Sequence, residues 1–193
     1  MDIALALVLA PPALVVCMAL GLLIMSVDRS PAIFVQKRIG RNGKSFALYK
    51  LRTMRTNSPD LPTHEASASL VTPLGTFLRR KKLDELPQLV NVLRGDMSFV
   101  GPRPCLPSQT ELLVRREALG VLSLRPGITG VSQLAGLDMS RPTELAELDA
   151  TYVEGWSLRK DLRIISQTIL GGGAGDAVRF GNGAEDADPG HDR

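Results

Sequence analysis

Two adjacent carboxylates stand out in the stretch Lys81-Lys82-Leu83-Asp84-Glu85-Leu86-Pro87-Gln88-Leu89, directly behind Arg79-Arg80. Proline is tolerated in the first turn of a helix, so Pro87 predicts that Asp84 and Glu85 sit at a helix N-terminus. The macrodipole and the preceding cations then favour the carboxylate form, and the free backbone N–H groups favour a phosphate. A carboxylate kept ionised beside a phosphate can be a nucleophile that forms an acyl-phosphate, or a ligand of Mg²⁺. Taken alone, such a pair is more often an N-cap with a solvated acidic turn. Further cations shift that balance. Arg103 lies between Pro102 and Pro104, and Arg125 precedes Pro126-Gly127. Stiff backbone on either side fixes where a guanidinium points, and guanidinium binds phosphate through two parallel hydrogen bonds. Lys50 and Arg52 alternate onto one face of a strand-like run. Each of these is ordinary as a surface charge; together they surround one acidic pair with basic elements.

The elements that must position these groups are short. Ile33–Arg38 and Ser45–Arg52 flank the turn-rich Gly40-Arg41-Asn42-Gly43, which predicts a β-hairpin. Thr56–Ser69 has no apolar period and is expected to be a loop. Thr72-Pro73 predicts an N-cap and first helical residue, with Leu74, Phe77 and Leu78 on one face. Leu86, Leu89, Val90 and Leu93 follow at helical spacing, and Gly95 is the expected C-cap. Gly101–Pro104 and Arg125–Gly130 are expected to be rigid loops, and Pro107–Leu119, Pro142–Tyr152 and Leu158–Leu170 to be helices.

The chain has 193 residues, 44% of them apolar and 22% charged, which excludes a wholly disordered chain. Two cysteines and two histidines exclude a disulfide-dense scaffold, a four-cysteine zinc site and a His-rich metal centre. Aromatic residues make up only 4% and no recognition motif occurs, so nucleic acid is not an expected partner. Charge is distributed unevenly. From Ile3 to Val27 the 25 residues carry no ionisable group except Cys17. Asp2 holds one acid and the tail Gly171–Arg193 five acids against two arginines, which leaves 21 bases against 14 acids in Ser26–Leu170, a net of +7. An apolar leader joined to a basic body suits the anionic cytoplasmic face of a membrane. The run exceeds the ~20 residues of a spanning helix, and as a plain reading it is a single-pass anchor. Pro11-Pro12 interrupts it, however, and removes backbone donors where lipid offers no replacement. Arg29, Lys37, Arg38, Arg41 and Lys44 after the run keep the body cytoplasmic.

In Phe46–Met54, Leu83–Leu89, Asn91–Ser98, Val100–Pro104 and Arg125–Gly130 the chain resembles the bacterial sugar transferase family, specifically the small monotopic phosphoglycosyl transferases. The pairing of Asp-Glu-Leu-Pro-Gln with Gly-Pro-Arg-Pro is the most specific part, and the similarity runs in register from Asp2 to about Leu170. The resemblance implies a fold mostly α with a small β-hairpin. Residues 1–28 would form a re-entrant membrane helix bent at Pro11-Pro12 and residues 29–170 a membrane-associated cytoplasmic catalytic domain with interfacial amphipathic helices, while the Gly-rich acidic composition of residues 171–193 predicts a disordered tail. It implies transfer of a sugar 1-phosphate from a UDP-sugar to undecaprenyl phosphate at the inner membrane, releasing UMP and initiating a bacterial exopolysaccharide, capsule, O-antigen or glycoprotein. The reaction would be ping-pong through a phosphosugar ester on Asp84, with Glu85 serving metal and proton handling, Mg²⁺ required, and Arg79, Arg103, Arg125 and Lys50 on the phosphates. Expected partners are the two substrates and inner-membrane lipid, with a homodimer left open. The chain departs from the family pattern in having only Met1 before Asp2 where basic residues are usual, and Ala10-Pro11-Pro12 where Ser-Pro is usual. The competing readings are a non-catalytic, membrane-anchored basic adaptor and a diphosphate hydrolase using the same carboxylates.

Overall fold

The computed structural model describes residues 1–56, 58 and 68–171. The expected acidic tail beyond Gly171 and most of the expected loop at Thr56–Ser69 lie outside the described residues. The architecture is mostly helical with two small sheets, in agreement with the sequence expectation.

Helix α1, Asp2–Val27, runs through Pro11 and Pro12 as one element. The prolines leave the carbonyls of Leu7 and Val8 without the amide one turn on that would bond to them. Helical assignment does not stop there, so the prolines do not divide α1 into two helices. Its exposed side chains are almost all apolar, among them Leu7, Val8, Leu14, Val15, Met18 and Leu22, as a lipid-facing helix requires. Both ends rest on the body. Ala6 is fully buried in a core with Leu48, Val92, Met97, Tyr152 and Ile164. Ile24 is fully buried against Leu51 and Leu78.

Strands β1 (Ile33–Ile39) and β2 (Ser45–Leu51) form the expected antiparallel hairpin, paired Ile33 to Leu51 through Ile39 to Ser45. Its turn uses Asn42 and Gly43 at positive φ, where a small polar residue and glycine meet the least steric cost. Helix α2, Pro73–Arg80, starts as predicted. The Thr72 hydroxyl accepts the Gly75 N–H at 2.9 Å and donates to Asp28 Oδ2 at 2.9 Å, tying the helix start to the end of α1. Gly75 lets α2 lie directly on the backbone after β2, since a Cβ there would stand 2.1 Å from the Thr53 carbonyl oxygen. Phe77, expected on the buried face with Leu74 and Leu78, is exposed.

The single helix expected across Asp84–Leu93 is a 3₁₀ turn, Leu83–Gln88, followed by the six-residue α3, Leu89–Arg94. Pro87 deprives an α-helical ladder of a donor at that place, and the tighter turn changes the phase of the residues behind it. Val90 is therefore exposed, while Asn91 and Val92 are buried. Gly95 caps α3 in the left-handed conformation, as expected.

The segment expected to be a loop at Arg125–Gly130 instead contains a short strand, and the loop at Gly101–Pro104 follows another, in a sheet that periodicity did not reveal. Strands β3 (Ser98–Val100) and β4 (Gly127–Thr129) pair in parallel. Their backbones approach so closely that a Cβ on Gly127 would lie 2.1 Å from the Gly101 nitrogen. Helices α4 (Thr110–Ala118), α6 (Pro142–Glu154) and α7 (Leu158–Ile169) match the expected segments, and a short α5 (Val131–Leu134) follows β4. A second core of Cys105, Leu112, Leu145 and Ala146 packs α4 on α6.

Candidate active site

The hairpin turns an unusually polar face inward. Gln36, Arg38 and Lys50 are buried there beside Leu48, where a half-buried strand would ordinarily place apolar residues. Lys50 reaches the acidic pair, with its Nζ 3.5 Å from Glu85 Oε1. Arg103 Nη2 lies 3.3 Å from the same oxygen. Glu85, Lys50 and Arg103, each chosen from sequence, thus form one largely buried triad drawn from three separate segments. Arg52, on the same strand run as Lys50, turns elsewhere: its Nε donates to the Pro31 carbonyl and its guanidinium stacks on Phe34.

Asp84 is only 3% exposed, one residue from the triad. The residue at the mouth of its turn, Lys82, has φ 56°, a left-handed conformation that costs a non-glycine residue about 1 kcal/mol or more. Arg79 donates from Nε to Thr53 Oγ1 at 2.8 Å. Its Nη1 is buried with no hydrogen-bond partner among the described residues. A buried guanidinium nitrogen without an acceptor is rare in folded proteins, and a phosphate oxygen is a group that would satisfy it.

A cavity of about 440 Å³ opens beside the triad. Its apolar lining comes from α1, through Leu9, Pro12, Ala13 and Val16, and from Leu86, Leu89, Phe99 and Ile128. Its polar lining is Lys82, Glu85 and Arg103, with Thr129, Gln133 and Thr168. Glu85 is a wall residue of this cavity; Asp84 is buried and is not among its lining residues. Pro12, one of the two prolines chosen as a helix bend, takes part in the wall, and Pro11 does not.

Arg125 is not brought to this cluster. It lines a second cavity of about 210 Å³ with Asp2, Tyr152, Trp156 and Asp161. There Asp161 accepts from both the Tyr152 hydroxyl and the Trp156 indole. Burial and the Asp161 carboxylate push the Tyr152 phenol well above its ordinary range.

For a metal, the donor set is two neighbouring carboxylates. Among the described residues no cluster of three or more His, Cys, Asp or Glu forms. Mg²⁺ commonly binds through one or two carboxylates with substrate phosphates completing its shell, so Asp84 and Glu85 fit an ion shared with a phosphorylated substrate.

Sequence reasoning missed a buried group beneath the site. Arg116 (2% exposed) and Asp149 (1% exposed) form an ion pair at 2.6 Å, and Ser132 donates to the other Asp149 oxygen at 2.8 Å. Burial pushes the Asp149 carboxyl upward, while Arg116 and Ser132 pull it down. Arg116 and Asp149 are 33 residues apart, and nothing local in either helix signals the pairing.

A family model described as bacterial sugar transferase matches residues 1–172. The chain is 42% identical over 150 residues to a UDP-glucose:undecaprenyl-phosphate glucose-1-phosphate transferase of Caulobacter vibrioides, covering 72% of this chain and 55% of that one. It is 39% identical over 165 residues to the galactosyl transferase CpsE of Streptococcus agalactiae, covering 76% and 36%. It is 40% identical over 182 residues to the exopolysaccharide production protein ExoY of Rhizobium meliloti, covering 83% and 80%. The chain thus spans about half or less of the first two relatives and most of the third.

Proposed function

The chain belongs to the bacterial sugar transferase family, and on that premise we propose that it transfers a sugar 1-phosphate from a UDP-sugar to undecaprenyl phosphate, releasing UMP. The observation that carries this reading is that one cavity is lined both by apolar α1 residues and by Lys82, Glu85 and Arg103. A polyprenyl phosphate needs such a site, in which its chain stays in an apolar groove while its phosphate meets cations.

In the first half-reaction an Asp84 carboxylate oxygen attacks the sugar-bearing phosphorus. The bond from that phosphorus to the bridging oxygen breaks, and UMP leaves with the electron pair. In the second, a phosphate oxygen of undecaprenyl phosphate attacks the same phosphorus and displaces the aspartyl oxygen, which restores Asp84. Lys50 and Arg103, paired with Glu85 at rest, shift toward the phosphates as negative charge accumulates, and Arg79 offers its unpaired nitrogen. Asp84 and Glu85 would hold Mg²⁺, which supplies charge neutralisation to the phosphate oxygens. Arg125, in the second cavity, is given no phosphate in this reading.

UMP release from a panel of UDP-sugars, with and without undecaprenyl phosphate, tests the proposal. Sustained turnover should require the lipid. A basic adaptor would release no UMP, and a hydrolase would turn over without the lipid. Within this scheme Arg103→Lys keeps the charge and loses the planar fork. It is expected to lower kcat/KM by about ten- to a hundredfold, the equivalent of ~1.5–3 kcal/mol. Unchanged kinetics would make Arg103 a partner of Glu85 only.

We further propose that both ends of α1 stay on the cytoplasmic face, with the helix re-entering at Pro11-Pro12. Asp2 shares a cavity with Trp156 and Asp161 of the body, and Asp28 bonds Thr72. A helix crossing the bilayer would have to abandon one of these contacts. A cysteine at position 2, in a Cys17→Ala chain, is expected to resist an impermeant thiol reagent in intact cells and to react after permeabilisation. Labelling from outside would establish a spanning helix.

A further inference from the structure

The loop carrying Arg103 is held by its carbonyls. Pro102 and Pro104 have no N–H to give, so their carbonyl oxygens are their backbone handles. The Pro102 oxygen accepts from Gly127 N–H at 2.9 Å, and the Cys105 oxygen from Ile39 N–H at 2.9 Å. Between them, the Arg103 oxygen accepts from Arg116 Nη1 at 2.7 Å and the Pro104 oxygen from Arg38 Nη1 at 3.0 Å. Four successive carbonyls are therefore fixed by four donors from three parts of the chain, two of them buried guanidinium groups.

Arg116 can do this because Asp149 holds the rest of it. Its Nε and Nη2 both donate to Asp149 Oδ2, at 3.1 and 2.6 Å, which leaves Nη1 aimed at Arg103. The same carboxylate accepts from Ser132 at 2.8 Å. One buried carboxylate thus holds the donor to a wall residue's carbonyl, while Asp149 is not itself among the cavity's lining residues.

We propose that Arg116, clamped by Asp149, is a positioning residue for the transfer reaction: it fixes where Arg103 presents its guanidinium. The inference rests on the reading of Arg103 as a phosphate ligand. Arg116→Lys separates positioning from stability. A lysine has one nitrogen, which can keep the ion pair with Asp149 but cannot also span to the Arg103 carbonyl.

The test is a double-mutant cycle with hydrogen exchange on the full chain in detergent or nanodiscs. Arg116→Lys alone is expected to lower kcat/KM by about ten- to a hundredfold, a typical result of displacing a catalytic group by a fraction of an ångström to an ångström. In an Arg103→Lys background the same change should cost less than about threefold, because the group being positioned has already lost its fork. Amides of the 101–106 segment should exchange faster in Arg116→Lys than in the wild type. An equal loss in both backgrounds, or unchanged exchange in that segment, overturns the inference. If Arg116→Lys does not fold, Asp149→Asn, which keeps an acceptor oxygen, carries the same comparison. A wild-type chain that releases no UMP from any UDP-sugar would sink the transferase reading instead; exchange then still decides whether Arg116 orders the loop.

Discussion

An Asp84→Asn chain is expected to remain folded and membrane-bound while its UMP release falls by a thousandfold or more, on the order seen when a covalent nucleophile is removed. Asparagine has nearly the same shape, so the buried position is kept, but its amide oxygen is a poor nucleophile and carries no charge toward a metal. The measurement has two parts. Steady-state UMP release gives the loss. Mass spectrometry of wild type quenched with a UDP-sugar and no lipid acceptor should find a sugar-phosphate adduct on the peptide containing Asp84, absent from the variant. Glu85, not Asp84, faces the cavity at rest, which makes the site of the adduct a sharp question. An adduct on Glu85, or near-normal turnover in Asp84→Asn, would sink the assignment of the nucleophile.

Asp149→Ala should have the largest effect on stability. It leaves Arg116 buried with Nε and Nη2 facing no acceptor, and it also strips Ser132 of one. Breaking a buried pair from one side costs about 3–5 kcal/mol, a large share of what holds a domain of this size together. Denaturant unfolding of the detergent-solubilised protein should show the midpoint fall with little change in slope. Replacing both partners, Arg116→Met with Asp149→Leu, removes the stranded charge and should recover most of that loss. If the positioning argument is right, this double variant would be stable and still slow. A single Asp149→Ala chain as stable as wild type would mean that Arg116 finds water or another acceptor.

Much of the fold was legible from local chemistry. Thr72-Pro73 named a helix start, Gly95 a helix end and Asn42-Gly43 a hairpin turn, because each answers a requirement that a few consecutive residues settle. The site was legible where cations and acids cluster along the chain or sit in stiff loops: Lys50, Glu85 and Arg103 do converge. The misses share a physical cause. Strands β3 and β4 are three residues each and pair across an intervening helix, so neither is long enough to show a period. The inward face of the hairpin is polar because Lys50 and Arg38 have partners on other elements, and the pattern of apolar residues cannot see those partners. Asn91 is fully buried because it bridges α3 to β2, donating to the Ala47 carbonyl at 2.7 Å. Arg125, also in a stiff loop, lines a different cavity, and the sequence does not say at which cavity such a guanidinium is aimed.

The four anchored carbonyls at Pro102–Cys105 also bear on how such a chain can evolve. One inserted or deleted residue would pull several of these oxygens off their donors together, so the segment is locked in length. Its donors, the Arg38 and Arg116 guanidinium groups and the Ile39 and Gly127 amides, are spread along the chain and must be inherited as a set. Divergence toward new sugars then has to be written in the side chains around this frame, and recombination that separates Ile39 from Arg116 would have to bring compatible halves together again.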